Sequence, residues 1–203
     1  MPIKNDREYR NLGLFEQQAE DAENYIVRGY ASTFEPYYMF EDDGVQFFER
    51  IAPTAFDDAD MSDVVFLRDH TGRVMARTKN GALNLSTDTH GLLTVTDLGL
   101  TQASKEMYED IRTGNYTQMS FSFVVAKGGE HYEEEARKVT RVIDRIAKLY
   151  DVSAVSFPAN PGTDIGIAYR SVFNGVIEKR TAERLKAEHA MKLLKLKMKL
   201  YER

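Results

Sequence analysis

Two serines lie close together in a segment where apolar and polar side chains alternate. At the period of two of a β-strand, Met119, Phe121 and Phe123 face one side and Ser120 and Ser122 face the other. A hydroxyl fixed on a strand can act as a nucleophile, because nucleophilic catalysis needs it held in line with a base and an oxyanion-binding group. Serines are also ordinary on the solvent-exposed face of a half-buried strand, so this segment alone leaves both interpretations open.

Four histidines are candidates for the base of such a nucleophile. Only His70 follows an apolar segment, 64–67, that is typical of a buried strand; the others lie in a predicted turn, an acidic loop and the C-terminal helix. A neutral imidazole can take the proton of a serine hydroxyl and return it to a leaving amine when a third group holds its tautomer. By residue type, His70, Ser120 and Asp151 fit these three roles, and Asp69 competes for the orienting one.

Several other chemistries have no support in the sequence. Without cysteine there is no disulfide framework and no thiolate nucleophile or metal ligand. There is also no His-Glu-x-x-His pair, and the acidic segment 130–135 is typical of a solvated charge run, so no metal site is predicted. The nucleophile elbow of α/β-hydrolases, the phosphate-binding loop and the dinucleotide fingerprint are missing from the sequence. We therefore predict no cofactor.

The N-terminal segment 1–23 is polar and charged and ends in an acidic run, which predicts a flexible arm. It lacks the apolar run of a signal peptide. No stretch approaches the eighteen or so apolar residues that would span a bilayer. These features predict a soluble cytoplasmic protein without a membrane partner.

Residues 24–175 alternate short strand patterns with turn residues, which predicts a mainly β domain with helices, of the α+β class. Helical spacing over 101–112 predicts one central helix, and a strand is predicted over 146–157. We expect the strands to form a closed or strongly curved antiparallel β-barrel with flanking helices.

Residues 176–203 differ from the rest in charge and pattern. They carry nine Lys or Arg and four Asp or Glu, in a chain whose 27 basic and 32 acidic residues give a net charge of −5. Leucines and methionines at helical spacing predict a basic, amphipathic C-terminal helix that needs a partner. The partner could be the chain's own domain, a second copy or a different protein. Nucleic acid is not expected, because no aromatic residues interleave the lysines in the way that base stacking requires.

Four blocks of sequence, in order, resemble the prohead maturation proteases of tailed double-stranded DNA bacteriophages. They are RGYASTF at 28–34, FERIAPTAFD at 48–57, MSFSF at 119–123 and LYDVSAVSFPANP at 149–161. The resemblance covers about residues 25–170 and leaves out the arm and the tail. That family is similar in fold to the herpesvirus assembly protease, a β-barrel ringed by helices.

The resemblance implies a serine endopeptidase with Ser120 as nucleophile, His70 as base and Asp151 as third member. Ser122 stands where the family commonly has glycine, and Ser153 could share the role of Asp151. The implied substrates are the scaffolding protein, or a scaffold-like segment of the major capsid protein, and the chain itself, which would be homo-oligomeric. The implied location is the immature capsid in the host cytoplasm. The alternative is a non-catalytic capsid-assembly or scaffold-binding module of the same fold.

Overall fold

The computed structural model describes residues 7–14, 24–156 and 170–201, and the chain divides into two compact units, 1–160 and 161–203. In the first unit the described strands are β1 (Arg7–Leu14), β2 (Ile26–Thr33), β3 (Tyr37–Asp42), β4 (Val45–Ile51), β5 (Val65–Arg68), β6 (Thr71–Arg77), β7 (Leu83–Thr87), β8 (Gly91–Asp97), β9 (Gln118–Val125), β10 (Glu130–Glu134), β11 (Lys138–Ile143) and β12 (Ile146–Val155). Its helix is α1 (Gln102–Arg112), and the second unit contains α2 (Asn174–Tyr201). The mainly β, α+β class is thus confirmed.

The strands form three sheets with the orders β1-β9-β12-β5-β6, β10-β11-β4-β3 and β2-β8-β7. Within the described ranges none of these sheets closes on itself, so the expected closed barrel is not confirmed. The expectation of purely antiparallel pairing is wrong, because β12 runs parallel to β5 and β11 runs parallel to β4. Parallel neighbours need long connections, which carry no local sequence signal.

The alternating pattern that predicts β9 also builds the core. Met119, Phe121 and Phe123 are fully buried, and the two phenylalanine rings stack with centroids 4.9 Å apart. Ile51 and Phe66, from β4 and β5, belong to the same cluster of buried side chains. Burying one such side chain contributes roughly 1.5–3 kcal/mol. The strand that carries both serines is therefore anchored by its opposite face.

Helix α1 begins at Gln102, one residue after the start of the predicted helix, 101–112. Thr101 precedes it in an extended conformation and accepts a hydrogen bond from the backbone N–H of Ser104 at 3.1 Å. Such a cap satisfies one of the amide groups that a helix start leaves without a partner. Met107 and Tyr108 are buried, and Gly114 follows the helix at φ +82°.

The N-terminal segment differs from the flexible arm expected of it. Arg7–Leu14 forms β1, which pairs antiparallel with β9 at the edge of its sheet. The other residues of the expected arm, 1–6 and 15–23, lie outside the described residues, as do 157–169 at the predicted end of β12. The expected boundaries at 23/24 and 175/176 stay predictions.

The predicted C-terminal helix is present as α2. Large apolar side chains on it are more than two-fifths exposed: Leu185, Met191, Leu193, Leu194, Leu196 and Met198. At 100° per residue they form two stripes on opposite sides of the helix, with lysines between them. Its amphipathic character and its partner stay predictions. No described helix has the length and apolar content needed to cross a membrane.

Candidate active site

Ser120 lies in the middle of β9, where the flanking strand β12 places polar side chains beside it. Ser153 is its antiparallel partner residue, and Asp151 is the partner of Ser122. Directly opposite residues of antiparallel strands project from the same face of a sheet. Ser120, Ser122, Asp151 and Ser153 therefore lie on one face, opposite the phenylalanines.

His70 reaches this face from a two-residue hairpin turn between β5 and β6. Arg68 and Thr71 are paired across the turn, and Asp69 and His70 both have positive φ, +45° and +57°. Two central residues with positive φ define the turn type that matches the twist of a hairpin, and aspartate tolerates this conformation well. The backbone N–H of Asp69 donates to the carbonyl of Ala154 at 3.0 Å, which fixes the turn beside β12.

The structure brings His70, Ser120 and Asp151 into one hydrogen-bonded row. Nε2 of His70 lies 2.5 Å from Oγ of Ser120, and Nδ1 lies 2.5 Å from Oδ1 of Asp151. Both contacts are satisfied when the neutral imidazole carries its hydrogen on Nδ1 and accepts the serine hydroxyl on Nε2. In that tautomer the ring is ready to take the proton of Ser120.

Ser153 joins the same row from β12. Its hydroxyl donates to Oδ1 of Asp151 at 2.9 Å and lies 3.2 Å from Nδ1 of His70. It therefore supports the orienting carboxylate, which is compatible with the shared role that the sequence allows it.

Asp151 is ionised at neutral pH despite its burial. Burial alone would raise the pKa of this carboxyl group, but hydrogen bonds from His70, Ser122 and Ser153 hold the pKa below its usual range. Hydrogen bonds to the charged form favour that form. A buried carboxylate beside Nδ1 stabilises the imidazolium that forms when the serine proton is transferred.

Neither serine lies on a solvent-exposed face, contrary to one of the two interpretations of the sequence. The exposed fraction of Ser120 is 1%, and that of Ser122 is 0%. The Ser122 hydroxyl donates to Oδ2 of Asp151, whereas that of Ser120 contacts the histidine. The two serines thus occupy different positions relative to His70.

Asp69, the competing acid, is directed elsewhere. Its carboxylate accepts from the hydroxyl of Tyr116 at 3.3 Å and from the backbone N–H of Ser156 at 3.4 Å. Among the other described histidines, His131 is exposed and lies 2.6 Å from Asp144. Across residues 7–14, 24–156 and 170–201, no cluster of His, Asp and Glu is arranged to hold a metal ion.

Two residues at the site, Arg7 and Tyr9, were missed by sequence reasoning because they lie on β1. Arg7 donates to Oδ2 of Asp151 and to Oγ of Ser122. The ring of Tyr9 packs edge-on against His70, with centroids 4.7 Å apart. Residues 7–10 are Arg, Glu, Tyr and Arg, so the sequence carries no alternation of apolar and polar residues that could have marked the strand.

A serine hydroxyl, an imidazole and a buried carboxylate in hydrogen-bonded order form the arrangement that serine hydrolases use for acyl transfer. The chain belongs to the family of caudovirus prohead serine proteases, whose family model matches residues 14–176. Searches among curated proteins and among solved structures found no match.

Proposed function

We propose that this chain is a serine endopeptidase of prohead maturation, with Ser120 as nucleophile, His70 as general base and acid, and Asp151 as the orienting carboxylate. One observation carries the proposal: the two ring nitrogens of His70 each lie 2.5 Å from the atom that this mechanism requires. Nucleophile and base are expected within hydrogen-bond reach of each other, up to about 3.2 Å. The family membership supports the reaction class independently of that geometry.

The proposed reaction has two acyl-transfer steps. In the first, Oγ of Ser120 attacks the scissile carbonyl while Nε2 of His70 takes the hydroxyl proton. The imidazolium then returns this proton to the leaving amine, the C–N bond breaks and an ester on Ser120 remains. Water, deprotonated by the same nitrogen, hydrolyses the ester and restores the serine.

The proposed substrates are the scaffolding protein, or a scaffold-like segment of the major capsid protein, and the chain itself. This part of the proposal rests on the family alone, because its members are described as prohead proteases. It places the reaction inside the immature capsid in the host cytoplasm. Co-expression with the capsid and scaffold proteins, followed by mass spectrometry of their cleaved termini, tests it; intact partners beside a reactive enzyme would contradict it.

Covalent labelling tests the nucleophile directly. A serine-directed fluorophosphonate should form an adduct on Ser120, located by peptide mass spectrometry, and the adduct should disappear in His70→Ala. Ser120→Ala should also prevent labelling, while the free energy of unfolding changes by only about 1 kcal/mol for the lost hydrogen bond.

Ser122→Ala is the matched control, because it removes the neighbouring hydroxyl on the same face and leaves Ser120 in place. It should retain the adduct on Ser120. An adduct on Ser122, or labelling that survives in His70→Ala, would contradict the assignment. An unreactive wild-type chain that still binds capsid or scaffold protein would favour the non-catalytic assembly module.

A further inference from the structure

The carboxylate of Asp151 is held from two sides. Oδ1 faces His70, whereas Oδ2 accepts hydrogen bonds from the guanidinium of Arg7 and from the hydroxyl of Ser122. The same guanidinium donates to Oγ of Ser122 from Nε at 3.0 Å and from Nη2 at 2.7 Å. A continuous row of polar contacts thus runs from Arg7 to Ser120.

We propose that Arg7 is a positioning residue for the reaction: from β1 it fixes the Asp151 carboxylate, with Ser122 as the second contact, so that Oδ1 stays directed at His70. This role rests on the proposed function, since it concerns the same serine, histidine and aspartate. Arg7 lies before residue 14, where the family match begins, so family membership does not assign it a role.

The geometry of a guanidinium suits this task. Rotation of an aspartate carboxylate about its last side-chain bond is soft, so the direction of Oδ1 must be set by contacts. The planar fork of Arg7 contacts Oδ2 and the Ser122 hydroxyl at once, and a lysine ammonium cannot reproduce this planar arrangement. Loss of the fork should therefore loosen the carboxylate even when the positive charge is kept.

The charge of Arg7 has a separate consequence. The Asp151 carboxylate favours a protonated His70, but only the neutral imidazole can accept the proton of Ser120. A guanidinium on the far side of the carboxylate offsets part of its negative charge. Arg7 should therefore extend the activity of His70 as a base to lower pH.

Arg7 is itself held in place. Its guanidinium carbon lies 4.3 Å from the centroid of the Tyr150 ring, and its side chain is 17% exposed. On the opposite face of β1, Glu8 pairs with Arg141 and Arg10 pairs with Glu49, which fixes the strand at its edge position. The guanidinium is thus supplied by an anchored strand.

The first test measures His70 without any catalysis. In a Ser120→Ala background, the titration of the His70 ring nitrogens is followed by NMR in chains with Arg7, Arg7→Gln and Arg7→Lys. Glu8→Gln is the matched control, because Glu8 lies on the same strand and contacts the opposite face. The same spectra show whether each variant is folded.

The titration midpoint of His70 should move to higher pH in Arg7→Gln, because the positive charge that offsets the carboxylate has been removed. It should not move in Arg7→Lys, which keeps a positive charge at this position, or in Glu8→Gln, which leaves Arg7 in place. An unchanged midpoint in Arg7→Gln, or an equal shift in Glu8→Gln, would overturn the proposal.

The second test uses Ser120-containing chains and the rate of fluorophosphonate labelling. Arg7→Gln should lower this rate by about 10- to 100-fold. It should also move the acidic limb of the pH profile of the labelling rate to higher pH. Arg7→Lys should lower the rate by about tenfold without moving the limb, and Glu8→Gln should do neither. Full labelling rates in both Arg7 variants would overturn the positioning role. A wild-type chain that does not label would refute the protease assignment and, with it, the catalytic role of Arg7. A midpoint that still shifts in Arg7→Gln would then show only that Arg7 acts on His70 through Asp151.

Discussion

Strand β1 separates two buried clusters of charge that are built alike. On one face, Glu49 is fully buried and is bound by the guanidinium groups of Arg10 and Arg141. On the other face, Asp151 is fully buried and is bound by the guanidinium of Arg7. In both clusters a carboxylate without access to water is neutralised by an arginine from the same edge strand.

The clusters differ in what else contacts the carboxylate. Glu49 also accepts from the hydroxyl of Tyr37, so the groups that bind it are two guanidinium cations and a phenol. Burial would raise the pKa of Glu49, but Arg10 and Arg141 hold it below its usual value. Asp151 instead contacts an imidazole whose second nitrogen faces a hydroxyl. Burial and charge alone therefore do not mark a reactive site; a group that can move a proton does.

The largest effect that separates the clusters is expected for Asp151→Asn. An asparagine amide would donate to Nδ1 of His70 and so place the ring hydrogen on Nε2, where it can no longer accept the proton of Ser120. The fluorophosphonate labelling rate should fall by about 10⁴-fold, as expected when the orienting carboxylate of a triad is lost. Mass spectrometry of labelling reactions that are quenched at successive times measures this rate, with Glu49→Gln as the control.

Glu49→Gln should keep the labelling rate of its folded fraction. A loss below about tenfold in Asp151→Asn would mean that the carboxylate is dispensable for activation.

Glu49→Ala should have the opposite pattern of effects: it should lower the free energy of unfolding and leave the labelling rate nearly unchanged. It leaves Arg10 and Arg141 buried without their shared anion, and breaking a buried ion pair in this way costs about 3–5 kcal/mol. Urea unfolding followed by circular dichroism measures the free energy of unfolding. The labelling rate per folded molecule should change little, because Glu49 does not touch the serine or the histidine. A cost below about 1 kcal/mol would show that the cluster does not hold β1 in place.

The elements that the sequence predicts well are those whose two faces differ strongly. Strand β9 combines fully buried phenylalanines with serines, and α1 combines a threonine cap with apolar residues at helical spacing. Those local patterns decide the element type. His70, Ser120 and Asp151 were grouped on other grounds, by residue type and by the family resemblance, and the structure brings these residues together.

The strands that were missed, β1, β3 and β10, all lie at sheet edges. Strands β1 and β10 each have one neighbour and keep charged side chains, so their composition resembles that of a loop. Strand β3 is rich in aromatic residues, but it ends in Glu41 and Asp42, which are typical of a turn. The role of Arg7 was missed because it lies on β1. The burial of Ser122 could not be read from alternation either, because it depends on the side chains that β1 places over the sheet.

The smallest effect that distinguishes the clusters concerns acid stability. Hydrogen bonds and charges hold the pKa of Asp151 and of Glu49 below the usual values in the folded chain. A carboxyl group with a lowered folded pKa stabilises the fold above its unfolded pKa, about 4 for both residue types. This stability is lost as the pH falls from about 4 through the lowered pKa, at up to about 1.4 kcal/mol per pH unit for each group.

Urea unfolding between pH 5 and pH 2.5 should therefore give a shallower loss of stability in Glu49→Gln and in Asp151→Asn than in wild type. Glu41→Gln is the control, because Glu41 is exposed and should keep the wild-type slope. A Glu49→Gln slope equal to that of wild type would mean that the cluster of Glu49 does not carry acid stability. If only Asp151→Asn changed the slope, the candidate active site would itself be the acid-labile part of the fold. The hydrogen bonds that join Asp151, His70 and Ser120 would then limit the stability of the protein at low pH.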